Sequence, residues 1–428
     1  MSEALSDAGF LSDFEVMSAF GATEAGGVDR QAATPADIEQ RGWFATRLAD
    51  LGFTVEYDRI GNQFGLLELV PGAPYVVVGS HMDSQPTAGR YDGAFGVLAA
   101  AYAAARAAER VRADASVSPQ FNLAVVNWFN EEGSRFAPSM MGSAVFTGKL
   151  PLDEALAIRD RSGVSVQDAL EPTGFLGTGD GPAAAFCAEI HIEQGRELEN
   201  AAATIGLVTA SWAARKYVIE VKGAQAHSGA TVMADRQDAL YGAAQLVVAA
   251  RRLTDRVPGL HTAIGQLDVY PNSPVVVASN VTLLLDLRSP DAALLAEAQE
   301  HLLAQFAEIE ADARVTIVST LSHAWDVNPY QPAGVELSRA VSERLGLPHR
   351  EIMTVAGHDS INMKDIVPTV MLFVPSVDGI SHNEGEYTED ADLVAGLSVL
   401  TEVTAELCRG ALSGAPEASA VEEPSVTR

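Results

Sequence analysis

The chain has 428 residues, 47% of them hydrophobic, which is enough apolar material for buried cores and too much length for one, so two domains are expected. Its formal net charge of −29 sets it against nucleic acid and anionic membrane surfaces, both of which need a basic face. No uncharged apolar run is long enough to predict a transmembrane helix, and the acidic start MSEALSDAGF lacks the basic and apolar regions of a secretion signal, so a cytoplasmic location is expected.

PYVVVGS at 74–80 reads as a buried strand ending in the polar loop HMDS, and a helical pattern follows at 93–110. FNLAVVNWF at 121–129 is a second such strand and ends in NEEG; AAFCAEI at 184–190 is a third and ends in HIEQG. The pattern then changes. A strand at 216–221, a helix at 236–252, strands at 261–270 and 280–289, a helix at 291–309 and a strand at 314–321 spell βαββαβ, the ferredoxin-like order. Afterwards the first pattern resumes, with REIMTVA at 350–356 running into GHDS and PTVMLFVPSVDGI at 368–380 running into SHNEG. The expected fold is α/β. A discontinuous domain of residues 1–210 and 322–412 carries a mixed sheet flanked by helices, a second domain of residues 211–321 is inserted into it, and a small, polar tail at 413–428 is disordered. Ligands of such sheets bind beyond the carboxyl ends of the strands, which is where the polar loops fall.

Those loops collect residues of the kind that hold zinc-like ions: His81, Asp92, Glu132, His191 and His382. Any one of them alone would more often be an ordinary surface or hydrogen-bonded residue; several at corresponding strand ends point to a metal centre. Asp83, two residues past His81, is placed to accept that imidazole's other N–H and so fix the metal-binding tautomer. Glu131 stands beside Glu132. One carboxylate can ligate while its neighbour moves protons, because a carboxylate bound to a cation is too weak a base to do both. In a chain with 57 acidic residues such a pair is ordinarily solvated, but here a long apolar run leads directly into it. Cys187 and Cys408 lie in apolar stretches and in no metal-binding spacing, so they read as buried thiols and leave imidazole and carboxylate as the ligand chemistry. Gly357 and His358 either line the pocket or form a structural turn. His261, His301, His323 and His349 read as structural or exposed.

The segments GSHMDSQPTAGRYDGAFGVLAA, NWFNEEGSRF, HIEQGRELE, AQAHSGATVMADRQDAL, LLLDLRS, AGHDSINM and SVDGISHNEGEYT, in that order, resemble the amidase/carbamoylase branch of the di-metal M20 peptidase-like superfamily. That branch holds N-carbamoyl-L-amino-acid hydrolases, β-ureidopropionases and allantoate amidohydrolases. The resemblance extends to the N-terminal FGATEAGGVDRQAATPADIEQRGWFATRLADLGF and covers nearly the whole chain apart from the tail. It implies two divalent ions (Zn, Mn, Co or Ni), one held by His81, Asp92 and His191 and the other by Asp92, Glu132 and His382, with Asp92 bridging. A bridging hydroxide would attack the carbonyl of a non-peptide C–N bond, with Glu131 as general base and acid. Gln194 would contact the substrate, and Arg288 would bind the carboxylate of a small anionic metabolite. His227, in the inserted dimerisation or lid domain, would stabilise the oxyanion in a neighbouring subunit's site, which implies a homodimer. His191 within HxEQG is typical of this branch, whereas exopeptidase relatives use a carboxylate there, which disfavours a dipeptidase or aminopeptidase.

The resemblance breaks at two places. The family's P-N-x-x-N-V-V-P-G reads PNSPVVVAS at 271–279, so Val275 stands where an Asn contacts substrate, and Val cannot donate a hydrogen bond. Glu384 stands where relatives often have Pro. The leading expectation is hydrolysis of an N-carbamoyl or ureido group. The rivals are hydrolysis of another small amide, with specificity moved by Val275, and a non-catalytic binding relative, against which the intact Glu131 and ligand set argue.

Overall fold

The apolar runs form the centre of one sheet. In the computed structural model, which describes residues 5–114 and 117–414, the strands Asn122–Trp128, Tyr75–His81, Ala184–Ile192 and Thr369–Val374 lie side by side in that order and all parallel. Gln63–Leu67 and then Thr54–Tyr57 extend one edge in antiparallel pairing, and Ile205–Ser211 runs antiparallel to Thr369–Val374. The sheet is therefore mixed, as the sequence led us to expect.

The parallel strands read as continuous apolar runs because both their faces are covered. Val76 and Val78 enter one core, shared with the helices Ala94–Ala113 and Asp390–Cys408. Val77 points the opposite way and enters another, with Trp128, Cys187 and Met363. The helix Ala94–Ala113 is rich in alanine and lies very close to the sheet: a Cβ on Gly96 would stand 2.1 Å from the Ile190 carbonyl oxygen. This close packing fixes the start of that helix, and Asp92 immediately before it, over the carboxyl ends of the parallel strands. Cys187 and Cys408 are both buried and free.

These elements belong to one of two compact units, made of residues 5–209 and 330–414. Residues 210–329 form the other. Here the strands Ala213–Lys222, His261–Tyr270, Asn280–Ser289 and Thr316–Trp325 make an antiparallel sheet in the order fourth, first, third, second, with the helices Ala239–Arg256 and Ala292–Ala313 in its core. The first of these helices starts later than the 236–252 pattern predicts. Asp238 caps it, accepting from the Tyr241 N–H at 3.1 Å, while Arg236 is drawn out to the Thr231 carbonyl at 3.2 Å. Residues 413 and 414 end a turn closed by the Ser413 N–H on the Gly410 carbonyl; the rest of the expected disordered tail lies outside the described residues. Among the described residues no helix is long and apolar enough to cross a membrane.

Candidate active site

The predicted ligands converge in the first unit because each ends or follows a central strand. His81 is the last residue of Tyr75–His81, and His191 is the penultimate residue of Ala184–Ile192. Asp92 precedes Gly93, whose φ of +63 suits glycine and whose Cβ, if it had one, would stand 2.4 Å from the His81 ring. Only glycine allows that turn and that approach together. Glu131 and Glu132 follow Asn122–Trp128 through Asn130, another left-handed residue at φ +52. Their amides donate to the buried carboxylate of Asp83 at 3.1 and 3.3 Å. Gln85 holds the Glu132 side chain from both sides, its backbone N–H on Oε1 at 3.2 Å and its side-chain amide on Oε2 at 2.9 Å. His382 comes from the loop after Thr369–Val374.

Each oxygen of Asp92 faces a different set of donors. Oδ1 lies 3.0 Å from His191 Nε2 and 3.6 Å from His81 Nε2; Oδ2 lies 3.1 Å from His382 Nε2, which is itself 3.5 Å from Glu132 Oε2. Two groups result, His81–Asp92–His191 and Asp92–Glu132–His382, each with its ligand atoms within 4.8 Å of one another. The orientation of the rings fits a cation. His81 Nδ1 and His191 Nδ1 face backbone carbonyls, of Asp83 at 3.0 Å and Ile192 at 2.9 Å, and a carbonyl only accepts, so Nδ1 carries the proton. The Nε2 lone pair of His81 then faces the Asp92 carboxylate, acceptor against acceptor, unless a proton or a metal ion lies between them, while His191 Nε2 stands 3.0 Å from Asp92 Oδ1 and also accepts from the Gly93 N–H at 2.9 Å. Histidine and carboxylate donors with no thiolate suit a divalent ion of the zinc or manganese kind.

The charges are crowded and out of water. Burial, then the charges of Asp359, Glu132, Asp83 and Asp92, raise the Glu131 carboxyl well above its ordinary range. Burial and the neighbouring Asp92 push Glu132 up to about 7. Burial takes His81 down to about 4 against the pull of Asp92. His191 and His382 are also penalised by burial, but their hydrogen bonds to Asp92 outweigh it and lift both to about 9. A bound dication would reverse the rise at the carboxyls, since a nearby positive charge favours their ionised form.

The other expected residues are placed as follows. Asp83 presents its backbone carbonyl to His81, while its carboxylate stands 3.7 Å from Nδ1 and serves the Glu131 and Glu132 amides instead. Gln194, at φ +59, donates its side-chain amide to Asp92 Oδ2 at 2.8 Å, and its Oε1 is buried with no hydrogen-bond partner among the described residues. His358 is buried with its ring 4.6 Å from that of His191, and Gly357 lies against the Met140 side chain. In the second unit, His227 and Val275 are neighbours: His227 pairs with Val276 in a short antiparallel ladder, and the Ser228 N–H donates to the Val275 carbonyl at 3.1 Å. Val275 is 61% exposed. Arg288 is engaged with Asp286, two residues earlier on the same strand face, its Nη2 standing 2.7 Å from Oδ2.

Sequence reasoning missed Glu386. It is buried under the Asp92 loop, where Oε1 accepts from the Tyr91 and Asp92 amides at 3.0 Å each and Oε2 accepts from Ser381 Oγ at 2.9 Å. It thus fastens the backbone of Asp92 to the loop that carries His382. Gly89 makes the space, since a Cβ there would lie 2.1 Å from Oε1. The residue sits in SHNEGEYT, four positions past His382, and a signal was available: a second acid in a motif already rich in ligands. Glu386→Ala should leave two buried amides without an acceptor, costing the metal-free protein roughly 2–4 kcal/mol in denaturant unfolding, and should weaken zinc binding by about 10–100-fold. Glu386→Gln, which keeps the acceptor, should lose much less of both. Equal behaviour of the two variants would contradict this role.

Comparison with known proteins agrees with this fold. Residues 77–406 match the model of peptidase family M20/M25/M40. A Mycolicibacterium smegmatis chain named only as a hydrolase is 55% identical, covering 96% of this chain and 95% of that one. The N-carbamoyl-L-amino-acid amidohydrolase of Rhizobium meliloti is 34% identical over 91% of this chain and 94% of its own. Among solved structures, an amidase of the hydantoinase/carbamoylase family from Burkholderia vietnamiensis superposes with a TM-score of 0.88 at 35% identity, covering 98% of this chain and 100% of that one. With the match running through every loop of the site, the chain belongs to peptidase family M20/M25/M40.

Proposed function

We propose that this protein is a cytoplasmic, homodimeric two-metal amidohydrolase that cleaves the N-carbamoyl or ureido group of a small carboxylate-bearing metabolite. The observation that carries the reading is Asp92, whose two oxygens serve two separate ligand groups. The similarity to amidohydrolases of non-peptide C–N bonds supports the choice of bond, as does an imidazole, His191, in the HIEQG loop.

His81, Asp92 and His191 would hold one divalent ion, and Asp92, Glu132 and His382 the other; bound there, the ions supply an acidified water and polarise the substrate carbonyl. Glu131 takes a proton from the attacking water and returns it to the leaving nitrogen as the C–N bond breaks. Its place beside Glu132 keeps it near the centre, and Asp83 fixes the backbone of both. His227, contributed across the homodimer, stabilises the negative charge that develops on the carbonyl oxygen. Arg288 binds the substrate carboxylate by exchanging it for Asp286, one acidic partner for another.

The variants separate these roles. A chelator should abolish turnover of an N-carbamoyl amino acid, and Zn, Mn, Co or Ni should restore it; full activity in a sample free of metal by elemental analysis would remove the proposal. Glu131→Gln should keep its metal and lose about 10²–10⁴-fold in kcat, whereas Glu132→Ala should lose metal. Mixing inactive His227→Ala chains with inactive Glu131→Gln chains should recover activity in hybrid dimers. Hybrids that form and stay inactive would take His227 out of the neighbouring site.

A second reading is favoured by Val275, exposed and side by side with His227. A substrate group that an Asn would bind meets an apolar side chain here, at a cost of roughly 1–3 kcal/mol. The preferred substrate is then a small amide with more apolar surface at that point. Val275→Asn should shift kcat/KM toward ordinary N-carbamoyl-L-amino acids. If the native enzyme already prefers those and the variant changes nothing, the plain carbamoylase reading stands.

A further inference from the structure

His382 is the ligand least secured by its own surroundings. Its side chain is 49% exposed, against 3% or less for His81, Asp92 and His191, and its φ of +52 is one that residues with a Cβ adopt at a cost. The next residues form a tight turn: the Glu386 N–H donates to the Asn383 carbonyl at 3.0 Å, and Asn383 Oδ1 accepts from the Gly385 N–H at 2.8 Å. Glu384 occupies the second position of this turn, where a proline would pre-set the backbone. Glutamate supplies no such restraint from its backbone, but its side chain is tied elsewhere. Its carboxylate accepts a hydrogen bond from the Thr23 hydroxyl, 361 residues away in sequence.

Thr23 is oriented for this contact. Its Oγ1 accepts from the Gly27 N–H at 3.1 Å, which directs the hydroxyl proton outward, and its own N–H closes the turn on the Gly27 carbonyl at 2.9 Å. Gly27 lets the turn lie directly on its target: a Cβ there would stand 2.6 Å from Glu384 Cγ and 2.3 Å from the Ala88 carbonyl oxygen. The next residue, Val28, exchanges both backbone hydrogen bonds with Ala88, at 2.8 and 2.9 Å. Ala88 adjoins Gly89, which lies on Glu386. The 23–27 turn is therefore anchored to the loop that carries Asp92 while it grips the loop that carries His382.

We propose that the 23–27 turn is a brace for His382, acting through the Thr23–Glu384 hydrogen bond, and that it sets the affinity of the Asp92–Glu132–His382 group for its ion without affecting the His81–Asp92–His191 group. Thr23 and Glu384 are positioning residues in this account and touch no reacting atom. The inference rests on the two-ion reading above.

Zinc titration of the metal-stripped full chain against a chromophoric chelator, with the unfolding midpoint of the metal-free protein as a second readout, tests it. Thr23→Val should weaken one of two zinc ions by about tenfold or more and leave the other as in the native chain, while lowering the metal-free midpoint because the Gly27 N–H loses its acceptor; the variant that spares that acceptor, Glu384→Ala, should leave the metal-free midpoint unchanged. Glu384→Ala, which breaks the same contact from the other side, should give the same selective loss, and Thr23→Ser should restore native binding. In a Glu384→Pro background, where the turn is stiffened by the residue itself, Thr23→Val should have no effect on zinc binding. A native chain that binds two zinc ions, with Thr23→Val and Glu384→Ala binding both equally tightly or losing both alike, overturns the brace and leaves the two-ion reading in place. A native chain that binds only one overturns both.

Discussion

The carboxylate of Asp92 is the point at which the catalytic unit is joined. It is buried, and its oxygens receive imidazole nitrogens from three separate stretches of chain, with the side-chain amide of Gln194 and the hydroxyl of Ser381 also on Oδ2. Its position is set from below by the close seating of the helix Ala94–Ala113 on the sheet and from the side by Glu386 on its amide. Removing either support would move both ligand groups together, because they share this one residue. The helix sits on strands that are largely apolar because both of their faces are covered.

Such a site is expensive in stability. Asp83, Glu131, Glu189, Asp359 and Glu386 all lie buried close by with raised pKa values, and Asp359 keeps one oxygen without a hydrogen-bond partner among the described residues. Each uncompensated buried carboxylate costs several kcal/mol. The chain's own offset includes Arg30, a fully buried guanidinium that burial lowers to about 10 and that feels the charges of Asp37, Glu386, Asp83 and Asp92. Its Nε donates to the Met82 carbonyl at 3.1 Å, between His81 and Asp83. Arg30, with His191 and His382 lifted to about 9, faces more buried acids than it offsets, so divalent ions bound here would do electrostatic as well as chemical work. Left-handed backbone at Asn130, Gln194 and His382 adds strain at the same place, the usual company of a functional site.

The fold and the candidate ligand groups were legible in the sequence for one reason. A parallel strand buried on both faces is a continuous apolar run, and its carboxyl end is where polar residues reappear, so PYVVVGS-H, FNLAVVNWF-NEE and AAFCAEI-H announce both strand and site. The residues that hold the ligands in place were not legible, because their work is done through backbone groups far away in sequence. Glu386 meets the Asp92 amide across 294 residues, and Thr23 meets Glu384 across 361. No local period or spacing records such a pair. Asp83 illustrates the limit: its proximity to His81 was readable, but that its carboxylate would serve the Glu131 and Glu132 amides depended on the neighbouring strand coming alongside. Arg288 was readable as a cation on a strand, and its partner Asp286 stood two residues away, within reach of strand alternation.

The central claim is that Asp92 is shared by two ions. The most direct measurement is an anomalous-difference map from a crystal of the purified full chain grown with zinc and recorded on both sides of the zinc absorption edge. The account predicts two peaks that vanish below the edge, one at Oδ1 of Asp92 with His81 and His191, the other at Oδ2 with Glu132 and His382. A single peak, or two peaks of which either avoids Asp92, would contradict it.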